Sequence, residues 1–293
     1  MKIGIIGGSG LYDLEGLEGI EKKKLETPFG TPSDAYVSGT LMGVEIFFLP
    51  RHGEGHRIMP SEINHRANIF GFKMLGAERI ISVSAVGSLK EHLRPRDVVL
   101  PDQYFDRTKR SHEHTFFGNG IVAHIAFAEP VCEKLRDAIA SSAKKVIDRE
   151  PEQARKKVHV GGTYVNMEGP AFSTKAESCT YRKLGFDVIG MTSLMEAKLC
   201  REAEMCYQAM AMVTDYDCWH ESEESVSVEM LIGHLTANSQ FAKLLLQDIV
   251  PDISSERDCE CANALKNAII TSPEYVTDDI KKKLASIIGK YIG

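Results

Sequence analysis

The stretch MAMVTDYD, residues 210–217, is an apolar run that ends abruptly in polar groups. Apolar residues without alternation are typical of a strand that is buried on both faces of a parallel or mixed sheet. If the strand continues to the end of this stretch, Asp215 and Asp217 lie two residues apart and face the same side. Two such carboxylates repel each other and lose hydration, so we expect at least one to have a raised pKa. That carboxyl group could donate a hydrogen bond to a basic nitrogen near neutral pH. A loop in which both acids are solvated caps is the alternative.

Other predicted strands also end in polar side chains. Residues 3–6 lead to Ser9, residues 45–49 to Arg51 and His52, residues 80–83 to Ser84, and residues 187–191 to Thr192. Hydroxyl groups beside one arginine and one histidine favour an anion such as phosphate. A pocket with this anion site on one side and two acids on the other suits phosphorolysis of a substrate with a nitrogenous leaving group.

Predicted strands alternate with predicted helices, which indicates a single α/β domain with a parallel or mixed sheet and ligands at the carboxyl ends of its strands. One helix is expected over 61–75, with Ser61 as its N-cap and Gly76 as its stop. The domain is expected to span residues 1–271. Residues 272–293 are predicted to form an amphipathic helical extension capped by Thr277, which packs on its own domain or, alternatively, forms an oligomer contact.

Composition excludes several classes of protein. A formal net charge of -6 disfavours nucleic acid or an anionic membrane as the main partner. No run approaches ~20 apolar residues, so no membrane span is expected. The apolar segment at the N-terminus is too short for a signal peptide and reads as a first strand, so we expect a cytoplasmic protein.

Motifs for other chemistries fail at identifiable positions. The glycines at 7–10 form neither a dinucleotide fingerprint, since Asp13 stands where the third glycine belongs, nor a P-loop. A nucleophile elbow fails at Leu11. His52 and His56 are separated by two glycines and are not expected to share a helix face or a metal. His112 and His114 are expected at the surface.

The chain has seven cysteines, which are expected to be reduced thiols. Cys259 and Cys261 could oxidise or bind a metal. No second close pair of cysteines or histidines has the spacing of a zinc finger, so no metal site is expected.

Seven short motifs resemble the trimeric purine nucleoside phosphorylase family, in family order, from the N-terminus to about residue 270. They are Gly-Gly-Ser-Gly-Leu at 7–11, Arg-His-Gly at 51–53, Ser-Ala-Val-Gly-Ser at 84–88, Glu-Gly-Pro at 168–170, Ala-Glu-Ser at 176–178, Met-Thr at 191–192 and Thr-Asp-Tyr-Asp-Cys-Trp at 214–219. The resemblance implies a central mixed, partly barrel-like sheet flanked by helices. It also implies a homotrimer or a dimer of trimers, with inorganic phosphate as co-substrate and no cofactor.

The resemblance also implies a role for individual residues. Asp215 and Asp217 would face the purine and carry the catalytic role, and His124 would come from a neighbouring subunit. The phosphate site would comprise Ser9, Arg51, His52, Ser84 and Thr192; the rest of the substrate site would comprise Ala85 and Met191 at the ribose, Thr214, and Val228, Leu231 and Ile232 at the 5′ pocket.

The implied reaction is the phosphorolysis of 5′-methylthioadenosine, a pentosyl transfer of purine and methionine salvage. The branch of the family that acts on 6-oxopurines has asparagine where this chain has Asp215. A phosphorylase of broad or 6-oxo specificity is the alternative enzyme, and a nucleoside-binding protein without turnover is the alternative outside catalysis. Ser9 replaces the commoner threonine, Ala171 and Met195 replace a frequent arginine and proline, and the segment 272–293 extends beyond the resemblance.

Overall fold

The computed structural model describes residues 1–8, 11, 14–150, 153, 155–220, 228–253 and 255–292, with Ser111 and residues 228–232 described by their backbone alone. Within these residues, eleven strands form one mixed sheet. The strands are Lys2–Gly7 (β1), Leu17–Lys23 (β2), Tyr36–Leu41 (β3), Val44–Pro50 (β4), Arg79–Ser88 (β5), Val98–Leu100 (β6), Gln103–Arg107 (β7), Val158–Val160 (β8), Thr163–Met167 (β9), Val188–Gly190 (β10) and Cys206–Tyr216 (β11).

Seven α-helices flank this sheet in the described part of the chain. They are His65–Met74 (α1), Glu133–Arg149 (α2), Lys175–Lys183 (α3), Ser193–Glu202 (α4), Val228–Asp252 (α5), Asp278–Lys283 (α6) and Ala285–Ile288 (α7). None of the helices described is long and apolar enough to cross a membrane.

The sheet branches at its central strand, β5. One edge of β5 pairs first with β1 in parallel and then with β10 in antiparallel orientation, while its other edge pairs with β11 in parallel along the whole strand. The main path runs β2-β3-β4-β1-β5-β10-β9-β7, and β11 leads through β6 to β8. The carboxyl ends of β1, β4, β5 and β11 therefore meet at one edge of the sheet. The prediction of a single α/β domain with a mixed sheet is confirmed.

The start of α1 differs from the sequence prediction. Residues 60–62 form a short 3₁₀ helix, Ile63 is extended, and the α-helix begins at His65. Its N-cap is Asn64, whose side chain accepts a hydrogen bond from the Ala67 amide at 3.0 Å. The prediction of Ser61 as the cap was wrong, because the extended Ile63 interrupts the helix. The stop at Gly76 is confirmed, and its φ of 81° is one that glycine adopts readily.

The C-terminal segment packs on the rest of the chain. Thr277 caps α6 by accepting a hydrogen bond from the Ile280 amide, as the sequence predicts. The predicted helix is divided at Leu284, which separates α6 from α7. Leu284, Ile287 and Ile288 are buried in the same apolar cluster as Phe70 and Leu199. The division of the chain at residue 271 stays a prediction.

A buried carboxyl group at the end of α4 should make stability depend on pH. Glu202 accepts hydrogen bonds from the Thr115 hydroxyl and the Phe116 amide, both at 2.7 Å. Burial raises the pKa of Glu202 from 4.5 to about 7. Since the folded-state pKa is raised, the stabilisation is fully present below pH 4.5 and is lost as the pH rises through about 7.

We expect the free energy of unfolding to fall by about 3 kcal/mol over this range because of Glu202. Denaturant titrations from pH 4.5 to 8 should show this slope in the natural protein and lose it in Glu202→Gln. The exposed residue Glu133 on α2 offers a control, and Glu133→Gln should keep the slope. Equal slopes in all three proteins would contradict the assignment.

Candidate active site

A buried ion pair joins β4 to α4 at the carboxyl edge of the sheet. The Arg51 Nε donates to Glu196 Oε1 at 2.5 Å, and both side chains are almost fully buried. Ser82 on β5 joins them, since its hydroxyl accepts from Arg51 and donates to Glu196. Burial alone would raise the pKa of Glu196, but the charge and hydrogen bonds of Arg51 lower it below its ordinary value. The pair is therefore ionised at neutral pH.

The ion pair limits what Arg51 can offer to an anion. Its contacts with Glu196, Ser82 and the Val83 carbonyl use four of the five N–H bonds of the guanidinium. Among the described residues, one N–H bond on Nη1 remains for a ligand, and the charge is already balanced by Glu196. Arg51 therefore acts mainly by holding Glu196, Ser82 and the Val83 carbonyl in place. Its charge contributes less to the attraction of phosphate.

His52 follows directly and is held in one tautomer. Burial lowers its pKa to about 4, so the ring is neutral at pH 7. The Nδ1 atom lies 2.8 Å from the Ile58 carbonyl, which can only accept, and therefore carries the proton. His56 stacks on the ring with centroids 4.2 Å apart. The Nε2 atom keeps its lone pair and can accept a hydrogen bond from a protonated phosphate oxygen.

The hydroxyl groups of Ser84 and Thr192 belong to the same candidate phosphate site as Arg51 and His52. Ser84 lies on β5, and its Oγ is buried without a hydrogen-bond partner among the described residues. Thr192 is buried at the N-cap position of α4, and its side chain makes no capping bond. The amino end of a helix favours negative charge, so both hydroxyls and the amino end of α4 suit an anion, although the Leu194 amide already donates to Asn166 Oδ1.

Met191 precedes Thr192 and packs tightly against the Glu-Gly-Pro segment. A Cβ on Gly169 would lie 2.6 Å from the Met191 sulfur, and Gly169 has a φ of 72°. The positive φ favours glycine at this position, and any side chain there would force the flexible Met191 side chain to move.

The two acids lie at the end of β11, against β5. The register of β11 on β5 shifts between Val213 and Asp215, so Thr214 is the extra residue of a β-bulge. A Cβ on Gly87 would lie 3.3 Å from Asp215 Oδ1 and 3.5 Å from Asp217 Cβ, so both acids border the same glycine. The Thr214 hydroxyl donates to Asp215 Oδ2 at 2.6 Å. Asp217 lies just beyond the strand, and its Oδ2 is buried without a partner among the described residues.

A cavity of about 230 Å³ opens beside the phosphate side. Both ring nitrogens of His65 are buried in the described structure without a hydrogen-bond partner, and burial lowers its pKa to about 3. His114 is buried as well, so its predicted surface position was wrong. The reason is that Glu202 accepts hydrogen bonds from Thr115 and Phe116, which holds this segment against α4. The cavity is lined by Pro60, Ser61, Glu62, Ile63, Asn64, His65, Arg66, Thr108, Arg110, Glu113, His114, Glu168 and Met195.

Sequence reasoning did not select His65 or His114 for the site. Neither lies in a motif or at a predicted strand end, and the only available signal was the Glu-Gly-Pro motif that contains Glu168.

Some predicted residues are not brought to this edge by the described structure. Ser9 lies outside the described residues, as do the side chains of Val228, Leu231 and Ile232. His124 is exposed, and its amide donates to the Ala268 carbonyl. Its predicted contribution to a neighbouring subunit stays a prediction.

Comparisons with known proteins identify relatives over the whole chain. The sequence model of the phosphorylase superfamily matches residues 2–251. The S-methyl-5'-thioadenosine phosphorylase of Geobacter sulfurreducens is 53% identical over 290 residues, which cover 99% of each protein.

Two solved structures are also similar. A methylthioadenosine phosphorylase from an antarctic soil metagenomic library superposes with a TM-score of 0.91 at 45% identity, covering 97% of this chain and 98% of the other. A variant of the adenosine/methylthioadenosine phosphorylase of Schistosoma mansoni, solved in complex with methylthioadenosine, gives a TM-score of 0.81 at 35% identity, covering 91% of this chain and 96% of the other.

Proposed function

Because the chain belongs to the phosphorylase superfamily, we propose that it catalyses the phosphorolysis of 5′-methylthioadenosine to adenine and 5-methylthioribose 1-phosphate. The observation that carries the proposal is that Ser84 lies on β5 while the two acids at the end of β11 border Gly87 of the same strand. Ser84 and Gly87 lie three residues apart on this strand, which corresponds to about 10 Å. That span accommodates phosphate at one end and a purine at the other, with the ribose beside Ala85 and Met191.

Asp215 and Asp217 stabilise the leaving purine. As the glycosidic bond lengthens, negative charge builds on the purine and positive charge on the ribose. Asp215 in its protonated form donates a hydrogen bond to N7 of the purine, and both Asp215 and Asp217 can accept from the 6-amino group. The Thr214 hydroxyl fixes the orientation of the Asp215 carboxyl group.

The phosphate side supplies the nucleophile. The hydroxyls of Ser84 and Thr192 and the amino end of α4 hold the anion, and neutral His52 accepts from its protonated oxygen. Phosphate then attacks C1′ from the face opposite the base, and its charge stabilises the oxocarbenium-like sugar. This mechanism requires neither a metal nor an organic cofactor. The two products feed purine and methionine salvage.

The reaction is tested by its products. Incubation with methylthioadenosine and inorganic phosphate should release adenine and a sugar 1-phosphate in equal amounts, measured by absorbance and by ³¹P NMR. Release of adenine with free methylthioribose and no phosphate ester would indicate hydrolysis and contradict the proposal.

Ser84→Ala should weaken the binding of phosphate without lowering the stability of the fold. The buried hydroxyl makes no hydrogen bond of ordinary geometry with the described residues, so its removal should leave the free energy of unfolding nearly unchanged. A hydrogen bond to a charged ligand contributes roughly 1.5–3 kcal/mol, so KM for phosphate should rise about 10- to 100-fold.

Ser88→Ala is the matched control on the same strand. The Ser88 hydroxyl donates to the Lys90 carbonyl and accepts from its amide, so its loss should lower stability and leave KM for phosphate unchanged. An unchanged KM in Ser84→Ala would remove Ser84 from the phosphate site.

The active form is proposed to be a homotrimer, with a dimer of trimers as the alternative assembly, in the cytoplasm. Support comes from the exposed His124, which lies beside the exposed apolar side chains of Val122 and Ile270.

If His124 completes a neighbour's site, His124→Ala and Asp215→Ala should each be inactive alone. Mixed after reversible dissociation, they should regain part of the activity, because one kind of site then contains both natural residues. No recovery in mixtures that light scattering shows to be hetero-oligomers would contradict a shared site.

A further inference from the structure

Four cysteines converge at the end of β11 that lies opposite the candidate active site. The Sγ atoms of Cys132, Cys206, Cys259 and Cys261 all lie within 4.8 Å of one another. Among the described residues, no other group of three or more His, Cys, Asp or Glu side chains brings its ligand atoms together in this way.

Three separate parts of the fold supply these thiols. Cys206 is the first residue of β11, and Cys132 is the N-cap residue of α2. Cys259 and Cys261 flank Glu260 at the start of a short 3₁₀ helix, Glu260–Asn263. The sequence shows only the last pair at close spacing, which is why no metal site was predicted; the fold supplies the second pair.

The geometry matches a four-coordinate thiolate site. Zinc–sulfur bonds of 2.3 Å in a tetrahedron place the sulfur atoms about 3.8 Å apart, within the observed limit. Cys206 and Cys259 are 3.4 Å apart. Cys132, Cys206 and Cys261 are buried, so water is largely excluded, while the half-buried Cys259 leaves a path for an ion to enter.

The surroundings can balance the charge of such a site. A dication with four thiolates carries two net negative charges, and two arginines lie close by. Arg79 is the register partner of Cys206 on β5, and its side chain donates to the Glu256 carbonyl. Arg257 donates to the carbonyl of Glu204, two residues before Cys206. In addition, Cys132 lies at the amino end of α2, where negative charge is favoured.

We propose that these four cysteines bind one thiophilic divalent cation, best matched by Zn²⁺, in a structural site. The site is remote from catalysis, since Cys206 and Asp215 lie nine residues apart along one strand, about 30 Å. Its role is to tie the segment around residues 259–261 to β11 and α2. A closed site of four thiolates leaves no open position for substrate.

The full-length protein, purified under reducing conditions and stripped of metal, is the material for the test. Anaerobic titration with Co²⁺ should give one saturable sulfur-to-cobalt charge-transfer band per chain, which one equivalent of Zn²⁺ abolishes. Zinc should raise the Tm by about 10 °C, because a ligand that binds only the folded state at 1,000 times its Kd stabilises it substantially.

Cys259→Ser should weaken Co²⁺ binding at least about 100-fold, whereas Cys179→Ser, a cysteine on α3, should bind as the natural protein does. Phosphorolysis by the metal-free protein at low temperature should equal that of the zinc form. Absence of a saturable cobalt band in fully reduced protein would overturn the proposal. So would a disulfide between any two of the four cysteines in protein isolated without oxidant or reductant, found by mapping of alkylated peptides.

Discussion

Asp215→Asn is expected to lower kcat/KM for methylthioadenosine about 10³-fold, within the range that a positioned general acid contributes. Asparagine cannot transfer a proton to N7 of the leaving purine. Its amide can still accept from the Thr214 hydroxyl, as Asp215 does at 2.6 Å, so the end of β11 should keep its shape. The same variant should move the preference between adenosine and inosine toward inosine by about 10²-fold, since an amide can donate to a 6-oxo group, whereas the acceptor oxygen of Asp215 matches a 6-amino group.

The measurement is kcat/KM for methylthioadenosine, adenosine and inosine with natural protein and variant at saturating phosphate. Asp137→Asn, at an exposed aspartate on α2, is the matched control and should behave as the natural protein does. If the adenosine-to-inosine ratio is the same in Asp215→Asn and the natural protein, Asp215 does not read the base.

Breaking the buried ion pair should have the largest effect on stability. Arg51→Met leaves the Glu196 carboxylate buried with only the Ser82 and Tyr207 hydroxyls as donors. Loss of one partner of a buried pair costs about 3–5 kcal/mol, which corresponds to a fall in Tm of about 10 °C in a chain of this size. In this variant burial should raise the pKa of Glu196, so the loss should be larger at pH 8 than at pH 5.

The double variant Arg51→Met with Glu196→Leu separates stability from activity. It removes both charges and should recover most of the lost stability, since well-packed apolar residues can replace a buried pair. Phosphorolysis should stay impaired, because the remaining N–H of Arg51 and the orientation of the site are lost with the pair. A double variant as unstable as Arg51→Met alone would show that the uncompensated charge is not the cause.

The sequence predicted that polar residues gather at the carboxyl edge of the sheet. Apolar runs that end in Arg51, Ser84 and Asp215 mark buried strands, and parallel strands bring their carboxyl ends to one edge. The structure places Arg51 and Asp215 at strand ends, but the prediction of a strand end at Ser84 was wrong, because β5 continues to Ser88 in its pairing with β10 and β11. Ser84 still lies close to the level at which β1 and β4 end. The structure also shows details that periodicity does not encode, such as the bulge at Thr214, which lets Asp215 and Asp217 border Gly87 together.

Pairing between distant residues could not be read from the sequence. Glu196 lies within a predicted helix, and nothing in its neighbours shows that it would neutralise Arg51, 145 residues away in the chain. The buried His65 and the four-cysteine cluster were missed for the same reason. Each depends on which elements become neighbours, whereas spacing along the chain reports only local partners.

The most direct test of the central claim is the initial rate of base release from methylthioadenosine, adenosine and inosine, each with and without inorganic phosphate. The account predicts that all cleavage depends on phosphate and that methylthioadenosine has the highest kcat/KM. Cleavage that proceeds equally well without phosphate, or inosine as the best substrate, would contradict it.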